Sequence, residues 1–456
     1  MYLTFLHVPA PTFYQYGDKL FTFAQVGQWV VVVRAKDHVR DFYNAPEDVL
    51  SMEIAAEELL QLHHTVGRQF CDETYHIPAI KTSLNQNLAE ILPKLVDEIE
   101  RGFIDVVDSK LGNDGDWKPI RALDAFTRII CRSSNRVFVG LPLCRNDDYC
   151  KLTSHFSTNL LVCGPMIKFL LPEFLRPLAG IVFRAFFRHH ERMLKHLRPL
   201  IRDRQNQRAH GGSEMNDMLT WLMDTAPADN EYSTESLAMR MLNVNFVAIH
   251  TTSKTFTHAL YHLASKPFYV PILRAEAQKH LDDNELSSWT KEALGRCVKL
   301  DSFLKESQRL NGMGALWMPR MAVNDFTFSD GTKISPGTFV ATAATAIHED
   351  EEIYERPLDF EGFRFSTIRE QRNDPKDHDN FEPDSDDDWK FRLTGTSPHC
   401  LPGRFFASLE LKCLMAYLLL HYDVKTPVEG VRPPDEWFGP TSNPARNADI
   451  LFRRIF

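Results

Sequence analysis

The sequence lacks several features that would assign it at once to a common protein class. Its 456 residues contain no Cys-x-x-Cys pair, and the eight cysteines are widely spaced, which is typical of free thiols in a reducing compartment. No basic segment followed by an apolar one opens the chain, and no run of ~20 apolar residues is long enough for a bilayer span. We therefore expect neither a disulfide framework nor a transmembrane anchor in this chain.

An excess of basic charge is also missing. The formal net charge is −9, whereas binding to phosphate backbones needs a basic surface. We therefore expect no nucleic-acid partner. The eighteen histidines contain no His-Glu-x-x-His or similar spacing, which excludes the common zinc hydrolases.

Apolar residues at helical spacing dominate what is present. From Ile80 to Val107 they recur every three or four positions, as one face of a helix requires. Similar patterns predict helices over 122–137, 177–206, 233–263, 267–281, 291–310 and 404–420. Short strands are predicted over 321–334, 338–343 and 449–455. The sequence thus predicts a mainly α fold with small β-sheets, as a single domain over residues 1–456.

Two segments stand apart in composition. Residues 373–390 carry many acidic side chains and almost no apolar ones, which predicts a solvated loop. Residues 160–187 are rich in Leu, Ile and Phe but are interrupted by charges and by Pro172. This second segment fits a surface that touches a membrane or the core better than a span.

Three motifs follow one another in the second half of the chain. Glu306 and Arg309 lie three apart, on one helix face. Arg364 stands between two phenylalanines, and Cys400 opens the run Cys-Leu-Pro-Gly-Arg-Phe-Phe-Ala. Together these motifs resemble those of the cytochromes P450 over nearly the whole chain, and the segment Ala-Ile-His-Thr-Thr-Ser at 248–253 resembles a fungal branch.

The resemblance implies a cytochrome P450 fold and a role for each motif. Glu306, Arg309 and Arg364 would form a buried ion-pair triad that stabilises the loop carrying the haem ligand. Arg320 would bind a propionate of haem b, since a guanidinium pairs well with a carboxylate. Cys400, ahead of a helix N-terminus, would supply the thiolate to the haem iron.

The resemblance also implies a route for protons and electrons. His250 and Thr251 would deliver protons, although a histidine satisfied inside the core remains an alternative for His250. Electrons would come from NADPH through a separate reductase, because the chain carries no Gly-rich dinucleotide fingerprint.

The cysteine loop departs from the family pattern. The family places its cysteine directly before Pro-Gly-Arg, whereas Leu401 stands between Cys400 and Pro402 here. His399 is a rival ligand, because imidazole also binds haem iron. The departure favours an alternative function: a degenerate P450-fold protein with weak or no haem binding, acting as a non-redox enzyme or scaffold.

The expected function is that of a haem-thiolate monooxygenase. It would insert one oxygen atom from dioxygen into a small lipophilic substrate, such as a terpenoid or polyketide intermediate of secondary metabolism. We expect a location on the cytoplasmic side, peripheral to the endoplasmic reticulum, with residues 160–187 as the membrane contact.

Overall fold

The computed structural model describes residues 19–25, 27–112, 115–212, 215–226, 234–282, 285–372, 403–438 and 440–455. The acidic segment 373–390 lies outside them. The chain divides into two compact units. The first comprises Met1–Leu59, Asp301–Leu401 and Pro433–Arg446, and the second comprises Leu60–Leu300, Pro402–Arg432 and Asn447–Phe456. The single domain over residues 1–456 stays a prediction.

Helices make up most of the described chain. Those of eight or more residues are α1 (Lys36–Asn44), α2 (Met52–Leu60), α3 (Leu88–Phe103), α4 (Ala122–Phe138), α5 (Asp147–Leu170), α6 (Arg176–Phe187), α7 (His189–Ala209), α8 (Met218–Thr225), α9 (Thr234–Ser265), α10 (Tyr269–His280), α11 (Val298–Leu310), α12 (Arg364–Arg372) and α13 (Arg404–His421). Shorter helical segments include Leu62–Thr65, Arg68–Asp72, His76–Pro78, Ala79–Leu84, Ile104–Asp108, Ser109–Leu111, Leu143–Arg145, Glu173–Leu175, Leu286–Ser288, Lys291–Gly295 and Ala344–His348.

The strands are short and form small sheets. They are β1 (Phe21–Gln25), β2 (Gln28–Val33), β3 (Leu50–Ser51), β4 (Lys118–Arg121), β5 (Trp317–Ala322), β6 (Phe326–Thr327), β7 (Lys333–Ile334), β8 (Phe339–Thr342), β9 (Tyr422–Lys425), β10 (Asp435–Phe438), β11 (Thr441–Pro444) and β12 (Asp449–Arg454). The predicted fold class, mainly α with small sheets, is confirmed.

Some predicted elements are divided in the structure. The helix predicted over 177–206 is split at Arg188, whose φ of 51° is left-handed and ends α6 before α7 begins. The strands predicted over 321–334, around a turn at 329–331, are β5, which begins earlier at Trp317, and β6 and β7, which flank that turn. At Arg188 the apolar spacing continues across the backbone turn, so periodicity alone did not reveal that break.

The first unit is built on a five-stranded sheet with the order β1-β2-β8-β5-β3. Strand β2 pairs antiparallel with β1 and parallel with β8. Its run of four valines is buried on both faces, as expected of a strand covered on both sides. Val31 and Val33 pack in one apolar cluster with Phe42, whereas Val30 and Val32 pack in the other.

The second unit has a helical core. Helix α4 packs against α3 and α9, and α13 packs against α3, α9 and α10. An aromatic cluster lies where four of these helices meet: the ring of Phe103 lies 5.6 Å from Phe126 and 4.8 Å from Tyr417, and Phe126 lies 4.5 Å from Phe256. The small sheet of β4, β12 and β9 belongs to the same unit.

A buried ion cluster lies in the first unit. Glu306 is fully buried on α11. Its two carboxylate oxygens accept hydrogen bonds from Arg309 at 2.8 and 2.9 Å and from Arg364 at 3.1 and 3.2 Å. The structure thus brings the three motif residues into direct contact. One carboxylate between two guanidiniums leaves an excess positive charge that other acceptors must offset.

Backbone carbonyls supply those acceptors. Arg309 donates to the carbonyls of His348 at 2.6 Å and Pro357 at 2.7 Å. Arg364 donates to the carbonyl of Glu355 at 2.5 Å. The cluster therefore holds the irregular segment between Ala344–His348 and α12, a stretch with little regular structure of its own.

Replacing Glu306 by Gln should lower the free energy of unfolding by about 3–5 kcal/mol, because it removes the carboxylate that both buried guanidiniums share, and the 3.4 Å contact of Arg364 with the partly exposed Glu361 is a weak substitute. Urea denaturation followed by circular dichroism measures this. Lys305→Gln is the matched control on the same helix, since its 2.8 Å pair with Asp301 is partly exposed and worth at most about 1 kcal/mol. Equal losses in the two variants would contradict the prediction.

Candidate functional site

Helix α9 presents an open strip in the second unit. The helix runs over 32 residues and most of its side chains are buried, yet Val247 is 38% exposed. Thr251 follows one turn later on the same face, and its Oγ1 donates to the Val247 carbonyl at 2.7 Å. A strip with an apolar side chain and one hydroxyl fits contact with a flat, largely apolar group such as haem.

His250 is directed elsewhere. Its Nε2 lies 3.4 Å from the carbonyl oxygen of Ser154 on α5. Neighbouring helix residues do not share a face, so the hydrogen bonds of His250 and Thr251 go to different partners. Their joint role in proton delivery stays a prediction.

Arg320 lies on β5, opposite Val340 of β8, and is almost fully buried. Its guanidinium donates to the carbonyls of Phe42 at 2.6 Å and Ala45 at 2.8 Å, and lies 3.4 Å from a carboxylate oxygen of Glu47. These contacts join β5 to the segment after α1. They fit a structural role better than a bond to a haem propionate, which stays a prediction for this residue.

The proposed iron ligand Cys400 and its rival His399 lie outside the described residues. The described chain resumes at Gly403, the residue before α13. The 18-residue helix α13 thus begins four positions after Cys400, and the partial positive charge of a helix N-terminus favours a nearby thiolate. A cysteine shortly before the start of a helix is the order that the resemblance to the cytochromes P450 implies.

A buried acid on α13 was missed by the sequence reasoning. Glu410 is fully buried and accepts hydrogen bonds from Ser133 at 2.7 Å and from Ser134 at 3.0 Å, both on α4. Burial raises the pKa of its carboxyl to about 8, so the group is largely protonated at neutral pH. The available signal was its place next to Leu409 and Leu411 in an otherwise apolar helix.

A second buried acid holds three helical segments together. Glu98 of α3 is fully buried and accepts from Arg132 of α4 at 2.8 Å. Arg145, in the short helix after α4, donates to the same carboxylate at 2.8 Å. Such clusters position the helices that carry the site, since an unpaired buried charge would be strongly destabilising.

Comparison with known proteins agrees with this arrangement. The family model described as "Cytochrome P450" matches residues 10–452. "Cytochrome P450 monooxygenase 151" of Postia placenta is 38% identical over 440 residues, which cover 95% of this chain and 86% of the relative. "Cytochrome P450 monooxygenase 103" of the same organism is 36% identical, over 96% of this chain and 87% of the relative.

More distant similarity extends to other fungi. "Cytochrome P450 monooxygenase paxQ" of Penicillium paxilli is 29% identical, over 96% of this chain and 85% of the relative. The match thus spans both compact units and all three motif regions. The chain belongs to the cytochrome P450 family and is an oxidoreductase of the monooxygenase type.

Proposed function

We propose that the protein is a haem-thiolate monooxygenase that inserts one oxygen atom from dioxygen into a small lipophilic substrate, such as a terpenoid or polyketide intermediate of secondary metabolism. The observation that carries the proposal is the open strip of Val247 and Thr251 on the largely buried α9. It offers an apolar surface and one hydroxyl to the reaction site, which suits oxidation of a lipophilic molecule.

The cofactor proposed is haem b, with Cys400 as the axial ligand. When bound, a haem with a thiolate ligand supplies the dioxygen chemistry that protein side chains lack. Cys400 provides the thiolate, and the ion cluster at Glu306 stabilises the first unit. Electrons would come from NADPH through a separate reductase.

A second candidate function rests on Leu401. Because one residue is inserted between Cys400 and Pro402, the sulfur is displaced by about 3.3–3.8 Å along an extended backbone unless the loop rearranges. A P450-fold protein without a thiolate-ligated haem, acting as a non-redox enzyme or scaffold, would follow from that displacement. The spectrum of the reduced protein with carbon monoxide separates the two.

The purified protein should show the red-shifted Soret band of a thiolate-ligated haem when it is reduced and exposed to carbon monoxide. Cys400→Ser should abolish this band and the monooxygenase activity, because serine does not supply a thiolate. Helical content, measured by circular dichroism, should change little.

Cys163→Ser is the matched control, since Cys163 is a partly buried free thiol on α5. It should leave the band intact. A band that survives Cys400→Ser but disappears in His399→Ala would overturn the ligand assignment. Absence of the band from the wild-type protein would favour the scaffold alternative.

Thr251→Ala should uncouple oxygen consumption from product formation, because it removes the hydroxyl proposed to pass protons at Oγ1. We expect hydrogen peroxide released per NADPH oxidised to rise by at least about threefold in a system with added reductase. Thr251→Ser should restore coupling, since serine keeps the hydroxyl. Unchanged coupling in Thr251→Ala would count against proton delivery by this residue. Turnover of substrate with NADPH but without added reductase would refute the proposal of a separate electron donor.

The surface of α5 and α6 supports the proposed membrane contact. Its outward side chains are large, apolar and exposed, and Phe174 and Phe186 are the most exposed of them at 79% and 77%. The others are Leu161, Val162, Met166, Leu170, Leu175, Leu178, Ile181 and Val182. Exposed apolar side chains that are grouped on neighbouring helices in this way mark a protein or membrane contact.

Two glycines fix which side of these helices faces outward. A Cβ on Gly164 of α5 would lie 2.6 Å from the carbonyl oxygen of Leu60, and one on Gly180 of α6 would lie 2.4 Å from that of His64. Both helices therefore pack closely on the segment at 60–65, with the apolar side chains opposite. Among the described residues, none of the helices combines the length and the apolar content that crossing a bilayer requires. The contact that we propose is peripheral and lies on the cytoplasmic face of the endoplasmic reticulum.

A variant carrying Phe174→Ser and Phe186→Ser should bind phosphatidylcholine vesicles at least about tenfold more weakly, because two large side chains no longer leave water. Vesicle flotation measures the bound fraction. The control is Val428→Ser with Val431→Ser, two valines that are 64% and 57% exposed outside this surface. Equal binding by both double variants would contradict the proposal.

A further inference from the structure

Arg240 is a buried cation near the start of α9. Its side chain is 1% exposed. Among the residues that the structure describes, its charge has one ion-pair contact, a long one: Nη2 lies 3.3 Å from a carboxylate oxygen of Glu73, whose side chain is 30% exposed. The guanidinium also lies over the ring of Tyr75, with 3.8 Å between Cζ and the centroid. The face of an aromatic ring attracts the positive charge of a guanidinium, but it does not satisfy the N–H groups at the edge of that guanidinium.

Two nitrogen atoms of the Arg240 guanidinium do not take part in these contacts. Within the described part of the chain, neither Nε nor Nη1 of Arg240 has a hydrogen-bond partner, although both atoms are buried. A buried guanidinium normally finds acceptors for its N–H groups, as Arg309 does with its carbonyls. Arg240 therefore has an unused capacity to bind an oxygen atom.

A cavity of about 230 Å³ lies against Arg240 within the second unit. Phe70, Phe156, Phe183 and Met239 supply much of its apolar wall. Its charged wall contains three arginines, at 68, 184 and 240, against a single carboxylate at Glu235. The cavity thus combines apolar surface with an excess of positive charge, which is the character of a site for a lipophilic anion.

Two histidines nearby do not add to this positive charge. Burial lowers the pKa of His189, which lines the cavity, to about 4. Burial and then the charge of Arg240 lower the pKa of His76 to about 4 as well. Both rings are neutral at pH 7, so neither adds to the positive charge of the three arginines.

We propose that Arg240 binds the carboxylate of the substrate, which is therefore a lipophilic carboxylic acid and not a neutral hydrocarbon or alcohol. The inference rests on the proposed function, because it defines the substrate class of that monooxygenase. Arg240 and Thr251 are eleven positions apart on α9 (251 − 240), about three turns and about 16 Å along one helix face. The acid group thus lies far from the hydroxyl of Thr251, and oxidation occurs at a carbon remote from the carboxylate.

The test compares dodecanoic acid with 1-dodecanol, which have the same chain and differ in charge. Isothermal titration calorimetry of the haem-containing protein should show tighter binding of the acid by at least about tenfold. Arg240→Gln should abolish this preference by weakening the acid alone. Arg240→Lys should keep part of it, because the charge remains. Arg202→Gln, an exposed arginine on α7, is the control and should bind as the wild type does.

Glu73→Gln provides a second, independent measurement. Glu73 competes with the substrate for Arg240, so its loss should tighten binding of dodecanoic acid and leave 1-dodecanol unchanged. This outcome remains informative if Arg240→Gln fails to fold. Equal affinity of the wild type for acid and alcohol, or an undiminished preference in folded Arg240→Gln, would overturn the inference. If the carbon monoxide band is present, such a result leaves the monooxygenase function intact.

Discussion

The first unit depends on one buried carboxylate. Glu306 has no access to solvent, and its two oxygens accept hydrogen bonds from two arginines that are themselves buried. In that environment neither guanidinium is tolerable without the carboxylate, and the carboxylate is not tolerable without them. Arg309 also donates hydrogen bonds to backbone carbonyls between residues 348 and 359. This irregular segment is therefore held in place by a buried cation and not by the hydrogen bonds of a helix or sheet.

Polar contacts inside the second unit orient its long helix in a similar way. The amide of Asn135 on α4 donates to the side-chain oxygen of Asn245 on α9 at 2.7 Å, and the hydroxyl of Tyr149 on α5 donates to Asn135 at 3.0 Å. Apolar packing alone is non-directional. A buried, satisfied amide pair two residues before Val247 determines which face of α9 is open, and therefore where Thr251 is presented.

The acceptors around each buried arginine distinguish a structural arginine from one that can bind substrate. Arg204 is buried, and both of its Nη atoms donate to the carboxylate of Asp217, which makes it a structural cation. Arg240 is just as buried, but its ion-pair contact with Glu73 is long, at 3.3 Å. Two arginines with similar burial therefore have different capacities for a ligand, and the difference lies in the number of acceptors that the fold brings to each.

Much of the molecule followed from the sequence by itself. The spacing of apolar residues determined the mainly helical fold, because that periodicity is a local property of the chain. The three motifs at Glu306, Arg364 and Cys400 were sufficient to indicate the family. The position of Glu306 three residues before Arg309 made their contact a local consequence of helix geometry.

Only the tertiary structure decided how buried charges are satisfied. Arg320 meets the carbonyls of Phe42 and Ala45, far away in the sequence, and Arg240 meets a cavity wall formed by several segments. The break at Arg188 was equally invisible to periodicity. The physical reason is that the free energy of a buried polar group depends on which distant acceptors surround it, and no local spacing specifies that.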